Sequence, residues 1–282
     1  MIRSPLRYPG GKSRATKLIA SLIPPFDEFR EPFVGGGSVF LYLKQLHAEK
    51  EYWINDLYYQ LYNFWKWSQR DLNAVVAQVR QWRKTFSIGK NLHRFLAEHI
   101  DTLTPVEQAA AFFVFNRITF SGTSESGGFS EAAFRGRFTP SSIERLEAVS
   151  PILNGTRITN FDYEKVVEAK GEHVAIFLDP PYYSATQSAL YGRNGHLHKS
   201  FDHERFADVM KHCKHDWLIT YDDSPFVRKL FSFANITSWN LMYGMRNQTA
   251  ASDQRGKELF ISNYDISEPY AMHSKKTTAA ER

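Results

Sequence analysis

The sequence predicts an α/β fold around a mostly parallel sheet, and three segments carry that prediction. Residues 174–178 are all apolar and end at the proline loop 179–182, a pattern typical of a buried parallel strand that stops abruptly. Residues 29–46 predict a strand, a glycine-rich turn and a helix in succession. Residues 51–56 predict a second short strand that ends in an acid. In α/β proteins such strand ends form the ligand-binding edge of the sheet.

Composition sets the outer limits of this fold. The 282 residues, of which 43% are hydrophobic and 15% aromatic, suffice for one well-buried α/β domain, or for one domain plus an inserted module. Cys213 is the single cysteine, residues 1–7 lack an apolar signal core, and no apolar stretch approaches the roughly 18 residues of a membrane span. We therefore expect a cytoplasmic protein without a membrane partner. A net charge of +5 permits a polyanionic partner.

The rest of the chain supplies further elements. Thr104, Pro105 and Glu107 predict a capped helix that runs to residue 115. Residues 156–160 and 217–221 predict strands, residues 201–212 and 224–231 predict helices, and residues 236–243 with 258–264 predict a final antiparallel hairpin.

The loop Asp179-Pro180-Pro181-Tyr182 indicates a specific chemistry. Each proline fixes its own φ and restricts the residue before it, so the loop presents a carboxylate, carbonyl oxygens and a ring in a nearly fixed arrangement. These groups suit an exocyclic amine on a flat heterocycle, because the oxygens accept its hydrogens while the ring stacks. The alternative is an ordinary proline turn with a surface aspartate.

The glycine turn at residues 35–37 brings backbone close to a ligand, or else forms a tight turn without one. Its glycines are consecutive and do not match the dinucleotide pattern G-x-G-x-x-G. Ser38 is expected to cap the helix that follows. Asp56 stands where nucleoside-binding folds place the acid for the ribose hydroxyls, or else it caps the next helix. Residues 7–13 fail as a phosphate-binding loop, because Leu6 stands where that motif needs glycine.

Taken in order, these motifs resemble those of the Dam-type DNA adenine-N6 methyltransferases, the alpha group. The matching positions are Tyr8 to Lys12, Pro32 to Ser38, Asp56 and Asp179 to Tyr182, with a target-recognition region between the last two. The resemblance spans nearly the whole chain. It implies a Rossmann-like class I methyltransferase sheet, mostly parallel and seven-stranded with an antiparallel hairpin at the end, and a mainly helical inserted module.

The resemblance also implies the cofactor S-adenosylmethionine, released as S-adenosylhomocysteine. Asp56 would bind its ribose, Phe161 would pack on its adenine, and Asp162 would accept from the adenine amine. The other residues expected around the cofactor are Tyr8, Gly10, Lys12, Phe33, Val34, Gly35, Gly37, Ser38 and Asp179. No metal is expected, because the histidines between 196 and 203 lack a matching carboxylate or thiol set.

The implied reaction moves a methyl group to N6 of an adenine flipped out of double-stranded DNA. Asp179 and the carbonyl of Pro180 would hold the two amine hydrogens, Pro181 would stiffen the loop, and Tyr182 would stack on the base. An RNA adenine or DNA cytosine-N4 methyltransferase and a non-catalytic DNA-binding relative remain alternatives. Cytosine-C5 chemistry is disfavoured, because Cys213 lacks the proline context of that nucleophile.

The DNA contacts are expected from the recognition region and from a loop after the catalytic motif. The candidate residues are Asn116, Arg117, Ser121, Arg135, Arg137 and Lys199, and the alternative for each arginine is a solvated loop position. Residues 187–200 are expected to order over the flipped base. The DNA sequence recognised, GATC or another, stays open.

The expected domain organisation is discontinuous. Residues 1–71 and 152–266 would form the catalytic domain, residues 72–151 the recognition domain, and residues 267–282 a flexible tail. A monomer suffices for the chemistry, and a restriction-enzyme counterpart would need no physical contact with it.

Overall fold

The computed structural model describes residues 1–8, 11–120, 127–184, 201–241 and 256–270. A seven-stranded sheet forms its centre, in the order β3-β2-β1-β4-β5-β7-β6. The strands are β1 (Glu28–Glu31), β2 (Glu51–Asn55), β3 (Arg157–Thr159), β4 (Val174–Leu178), β5 (Asp216–Asp222), β6 (Asn235–Leu241) and β7 (Gly256–Ser262).

The sheet is parallel from β3 to β5 and antiparallel at one end, as the sequence predicted. β1 lies between β2 and β4 and is parallel to both. β7 pairs with β5 and with β6, antiparallel to each, so the last strand of the chain is inserted between two earlier ones. The parallel strands leave their carboxyl ends at one edge, where the loops after β1, β2 and β4 meet.

Twelve helices surround the sheet in the described part of the chain. They are α1 (Thr16–Leu22), α2 (Ser38–Leu46), α3 (Tyr59–Arg70), α4 (Leu72–Thr85), α5 (Gly89–His99), α6 (Pro105–Ile118), α7 (Glu131–Arg137), α8 (Pro140–Glu147), α9 (Ser150–Leu153), α10 (Tyr163–Val167), α11 (His203–His212) and α12 (Pro225–Leu230). The predicted capping box of α6 is confirmed, because Thr104 and Glu107 cap each other's backbone N–H groups.

The core lies on both faces of the sheet, because successive side chains of a strand point to opposite faces. On one face Phe29, Phe177 and Phe260 pack with α1, α2 and the helices between β2 and β3 in one continuous apolar cluster. On the other face Ile176 and Ile219 join α10, α11 and α12. The helical region therefore shares its core with the sheet.

The C-terminal segment, predicted as a flexible tail, is described as far as residue 270. The backbone N–H of Tyr270 donates to the Ser21 carbonyl at 2.8 Å, so the segment after residue 267 is attached to α1 as far as residue 270. The loop predicted at 187–200 and most of the predicted tail lie outside the described residues. No helix in the described ranges has the length and apolar character needed to span a bilayer.

Candidate active site

Asp179 is the first residue after β4, and two side chains hold its carboxylate. The Lys12 ammonium donates to both oxygens, at 2.8 and 2.9 Å, and the Thr220 hydroxyl donates to Oδ1 at 2.8 Å. Lys12 is 4% exposed, so this ion pair is largely shielded from water. The geometry fixes the carboxylate at the end of the strand, which excludes the alternative of a loose surface aspartate.

Tyr182 lies beside this ion pair. The Lys12 Nζ lies 5.0 Å from the centre of its ring, and the ring stacks on Tyr221 at 5.8 Å between centroids. Burial, together with the charges of Asp179 and Glu258, raises the pKa of the Tyr182 hydroxyl well above its usual range. The ring is thus firmly placed between the N-terminal segment and β5.

Asp222 anchors the chain that leaves the proline loop. Its two carboxylate oxygens accept from the backbone N–H groups of Tyr183, at 2.9 Å, and Ser184, at 3.1 Å. The Tyr183 ring is 40% exposed and stacks on Phe226. The loop is consequently held at both ends, by Asp179 at its start and by Asp222 at its exit.

The glycine turn packs against aromatic rings. Gly35 has φ 47° and Gly37 has φ 63°, values that favour glycine. A Cβ at Gly35 would lie 3.0 Å from the Tyr8 ring, and one at Gly37 would lie 3.0 Å from the Trp65 ring. The rings of Tyr8 and Trp65 therefore lie directly against these glycines, and the approach of the turn to a ligand stays a prediction.

The prediction that Ser38 caps α2 is wrong. The helix begins at Ser38 itself, because Gly37 supplies the left-handed residue before it and no side chain caps that position. The buried carboxylate of Glu31 instead accepts from the Phe40 N–H at 2.9 Å. Val34 N–H donates to the Asn55 carbonyl at 2.9 Å, which ties the turn to β2. The Phe33 side chain points into the second apolar cluster, next to Tyr163.

Asp56 connects the glycine turn to the loop after β2. Its carboxylate accepts from the backbone N–H groups of Gly35, at 3.1 Å, and Tyr58, at 3.0 Å. α3 begins only at Tyr59 with Tyr58 at the cap position, so Asp56 is not the helix cap of the alternative interpretation. Loss of solvation raises the pKa of Asp56 to about 6, although both hydrogen bonds lower it.

Asn55, the last residue of β2, connects the segments that follow β1 and β3. Its amide donates to the carbonyls of Pro32 and Phe161, both at 3.0 Å, and accepts from the Phe161 N–H at 2.8 Å. This places the Phe161 ring, which is 38% exposed, at the rim of the same edge. Asp162 caps α10 through the Glu164 N–H and also contacts Arg205, so its carboxylate already has partners.

Asn116 does not occupy an exposed position suited to a DNA contact. It is 1% exposed, and its amide accepts from the Arg7 N–H at 2.8 Å and donates to the Arg7 carbonyl at 2.7 Å. These bonds span 109 residues and fix the N-terminal segment on α6. Asn116 therefore positions Arg7 in this structure.

Arg117 is the centre of a group of four arginines, with Arg7, Arg137 and Arg145. It is 3% exposed, its guanidinium lies 5.3 Å from the Phe113 ring centre, and its Nε and Nη2 have no hydrogen-bond partner. Burial and the charges of the other three lower its pKa to about 10. By contrast, Arg135 is exposed and pairs with Glu131. Gly10, Ser121 and Lys199 lie outside the described residues.

Three side chains near the proline loop, those of Thr220, Asp222 and Glu258, were not predicted from the sequence. Thr220 and Asp222 alternate along β5 and so share a face, but only the pairing of β5 with β4 brings that face to Asp179. Glu258 is the single acid of β7 and directly precedes the apolar residues Leu259, Phe260 and Ile261, a signal that could have been noticed. Within the ranges that the structure describes, no group of three or more histidine, cysteine or acidic side chains is arranged to hold a metal.

Comparison with known proteins gives a consistent assignment. Residues 8–245 match the D12 class N6 adenine-specific DNA methyltransferase family. The chain is 25% identical to the Type II methyltransferase M1.LlaDCHI of Lactococcus lactis subsp. cremoris over 276 residues, which are 92% of this chain and 94% of that protein. It is 24% identical to the DNA adenine methylase of Vibrio cholerae, over 83% of this chain and 86% of the relative.

A third relative is longer. The DNA N-6-adenine-methyltransferase of Escherichia phage P1 is 25% identical over 90% of this chain, which corresponds to 34% of that protein. The family match covers far more than half of the chain and includes the strand ends where the acids and the glycine turn lie. The chain belongs to the D12 class of N6 adenine-specific DNA methyltransferases.

Proposed function

We propose that this adenine-specific DNA methyltransferase takes its methyl group from S-adenosylmethionine, bound at the carboxyl edge of the sheet. The cofactor supplies an electrophilic methyl group on a sulfonium cation. Asp56 would accept from its ribose hydroxyls, and Phe161 would pack on its adenine. The glycine turn with Tyr8, Lys12, Phe33, Val34 and Ser38 would line the methionine side.

The residues present fit such a cationic ligand. Glu31, Asp56 and Asp179 lie close enough for the charges of both aspartates, after burial, to raise the pKa of Glu31, so the two aspartates lie at the same edge of the sheet. Leu57 and Phe161 are 53% and 38% exposed beside Asp56, which offers apolar surface for an aromatic base. Acidic groups next to exposed apolar side chains complement a nucleoside that carries a sulfonium.

The observation that carries the catalytic proposal is the fixed carboxylate of Asp179. Asp179 and the carbonyl of Pro180 would accept the two hydrogens of the adenine amine and keep its nitrogen lone pair directed at the methyl group. The rate would come from positioning and preorganised electrostatics. Tyr182 would stack on the base, which must leave the duplex to reach the site.

Double-stranded DNA would bind along the helical region 72–151, with the four arginines as its main anchor. Arg117 is buried beside the like charges of the other three, which is costly, and a DNA phosphate would relieve that cost. Arg135, Ser121 and Lys199 remain further candidates for contacts. We propose that a monomer acts on the DNA in the cytoplasm, and that any restriction enzyme paired with it works without physical contact.

The direct test is expression in a cell that lacks adenine methylation, followed by single-molecule sequencing of its genomic DNA. We expect N6-methyladenine confined to one short motif. An Asp179→Ala chain expressed at the same level is the control and should leave the DNA unmodified. Methylation on cytosine N4, or none at all with the cofactor still bound, would contradict the proposal.

The pKa of Asp56 leads to a pH prediction for cofactor binding. The folded pKa of about 6 lies above the usual 3.8, so Asp56 takes up a proton as the pH falls through 6. A protonated carboxyl accepts less well from two hydroxyls. Calorimetric titration should find S-adenosylhomocysteine bound about tenfold more weakly at one pH unit below that value than above it.

Two variants separate the protonation of Asp56 from a general effect of pH on cofactor binding. Asp56→Asn should bind weakly at every pH and lose the dependence. Asp216→Asn removes an exposed acid at the start of β5, the end of the strand away from the site. It should keep the wild-type dependence of cofactor affinity on pH. An unchanged pH dependence in Asp56→Asn would show that another group titrates.

A further inference from the structure

Glu258 is a buried acid with no assigned role. It lies on β7 opposite Asp222 of β5 and Trp239 of β6, on the face of the sheet that carries Thr220. It is 2% exposed, and neither of its carboxylate oxygens has a hydrogen-bond partner. A buried carboxyl group without partners is costly, and natural proteins usually keep one for a reason.

The surroundings of Glu258 are those of the catalytic loop. The charged and titratable groups that act on it are Lys12, Asp179, Tyr182 and Asp222. Burial, Asp179 and Asp222 raise the pKa of Glu258 to about 7, while Lys12 and the Tyr182 hydroxyl lower it. The Tyr182 hydroxyl is close enough for this effect but does not meet Glu258 with hydrogen-bond geometry. Lys12 is the one cation in this set.

Two carboxylates therefore compete for one ammonium, and Asp179 holds it. The Lys12 Nζ contacts both Asp179 oxygens, and Thr220 donates to Oδ1 as well. Oδ1 already accepts from two donors and Oδ2 from Lys12, so an amine that docks on Asp179 at Oδ2 competes with the ammonium for that oxygen. The displaced ammonium stays buried, and a second carboxylate nearby would keep its charge balanced.

We propose that Glu258 is this second acceptor, and that it takes over the Lys12 ammonium when the target amine docks on Asp179. The inference rests on the proposed role of Asp179. Glu258 is then a positioning residue that acts through Lys12: it frees an Asp179 oxygen for the amine while the local charge stays balanced. Only the ionised form of Glu258 can do this.

The expected signature is a pH-dependent rate. Glu258 with a pKa of about 7 is neutral below that pH and charged above it, so the rate of transfer should rise through pH 7. The experiment measures single-turnover transfer from radiolabelled S-adenosylmethionine to DNA free of methyladenine, at saturating concentrations, from about pH 6 to pH 8. Glu258→Gln should lower the rate on the order of tenfold to a hundredfold at the upper pH and lose the rise, with cofactor affinity unchanged.

The variants distinguish a role through Lys12 from a merely structural one. In a Lys12→Met background, Glu258→Gln should have no further effect on the rate, because the residue through which Glu258 acts is already gone. Glu258→Met provides a second neutral side chain of similar size and should behave like the glutamine. Asp216→Asn, which removes an exposed acid from the far end of β5, should keep both rate and pH profile. Thermal melting with S-adenosylhomocysteine verifies that each variant is folded and binds.

Either of two results would overturn the inference. One is a wild-type rate and pH profile in folded Glu258→Gln, and the other is an equal loss from Glu258→Gln with and without Lys12. A full rate in Asp179→Ala would instead overturn the proposed catalytic site, so the two failures are told apart.

Discussion

Asp179→Ala should lower methyl transfer by at least about a thousandfold and leave cofactor binding nearly intact. The carboxylate is the acceptor that would hold the amine, and no other acid stands at the start of the proline loop. Single-turnover transfer measures the loss, and calorimetry with S-adenosylhomocysteine measures binding. Asp179→Asn keeps the shape of the side chain and should be nearly as inactive, because the amide is neutral and its NH2 group places a donor where the Lys12 ammonium or the target amine needs an acceptor.

The same substitution should also affect stability. Without Asp179, the buried Lys12 ammonium loses two contacts that compensate its charge, at a cost of about 3–5 kcal/mol in the free energy of unfolding when Glu258→Gln is also present, and of less when Glu258 can accept the ammonium. Adding Lys12→Met should recover most of that loss without recovering transfer. Near-wild-type transfer in folded Asp179→Ala would contradict the assigned role, and a loss of stability that Glu258→Gln does not deepen would mean that Glu258 does not take up the ammonium.

Arg117→Met should produce opposite changes in stability and in DNA binding. The guanidinium is buried with two unpaired nitrogens among three other arginines, so an apolar side chain of similar reach should raise the free energy of unfolding by about 1 kcal/mol or more. If the arginines hold a DNA phosphate, affinity should fall, and the slope of log affinity against log salt should become shallower by about one. Denaturant unfolding and fluorescence anisotropy measure the two effects.

Arg135→Met is the matched control for stability. Arg135 is exposed and pairs with Glu131 one helical turn away, so its loss should change the free energy of unfolding by less than about 0.5 kcal/mol. An Arg117→Met protein that unfolds more easily and binds DNA as tightly as before would assign Arg117 to the packing on Phe113 instead of to DNA.

The sequence sufficed for the fold and for the acids at the strand ends because those signals are local. Strand β4 is a run of apolar residues that ends at Asp179, and the capping box of α6 is contained in four residues. Pattern and turn chemistry over such short windows are largely independent of the rest of the fold. The antiparallel hairpin could be predicted for the same reason.

The contacts that hold the site could not be predicted from local sequence patterns, because they join residues that are far apart in the chain. Lys12 meets Asp179 across 167 positions, and Asn116 meets Arg7 across 109. Pairing of β5 with β7 places Glu258 near Asp179, and no local pattern specifies that pairing. The cap prediction for Ser38 was wrong because α2 begins at Ser38 itself, with the left-handed Gly37 in the cap position, one residue earlier than the sequence pattern suggests.

The insertion of β7 between β5 and β6 has a consequence for the newly made chain. Synthesis delivers β6 before its neighbour in the sheet exists, so β6 cannot reach its place until residues 256–262 have left the ribosome. The second acceptor proposed for Lys12, Glu258, arrives with the same strand, although Lys12 is made among the first residues. A messenger cut short before this strand would therefore yield fragments without a finished sheet, and DNA modification would begin only with chains translated past it.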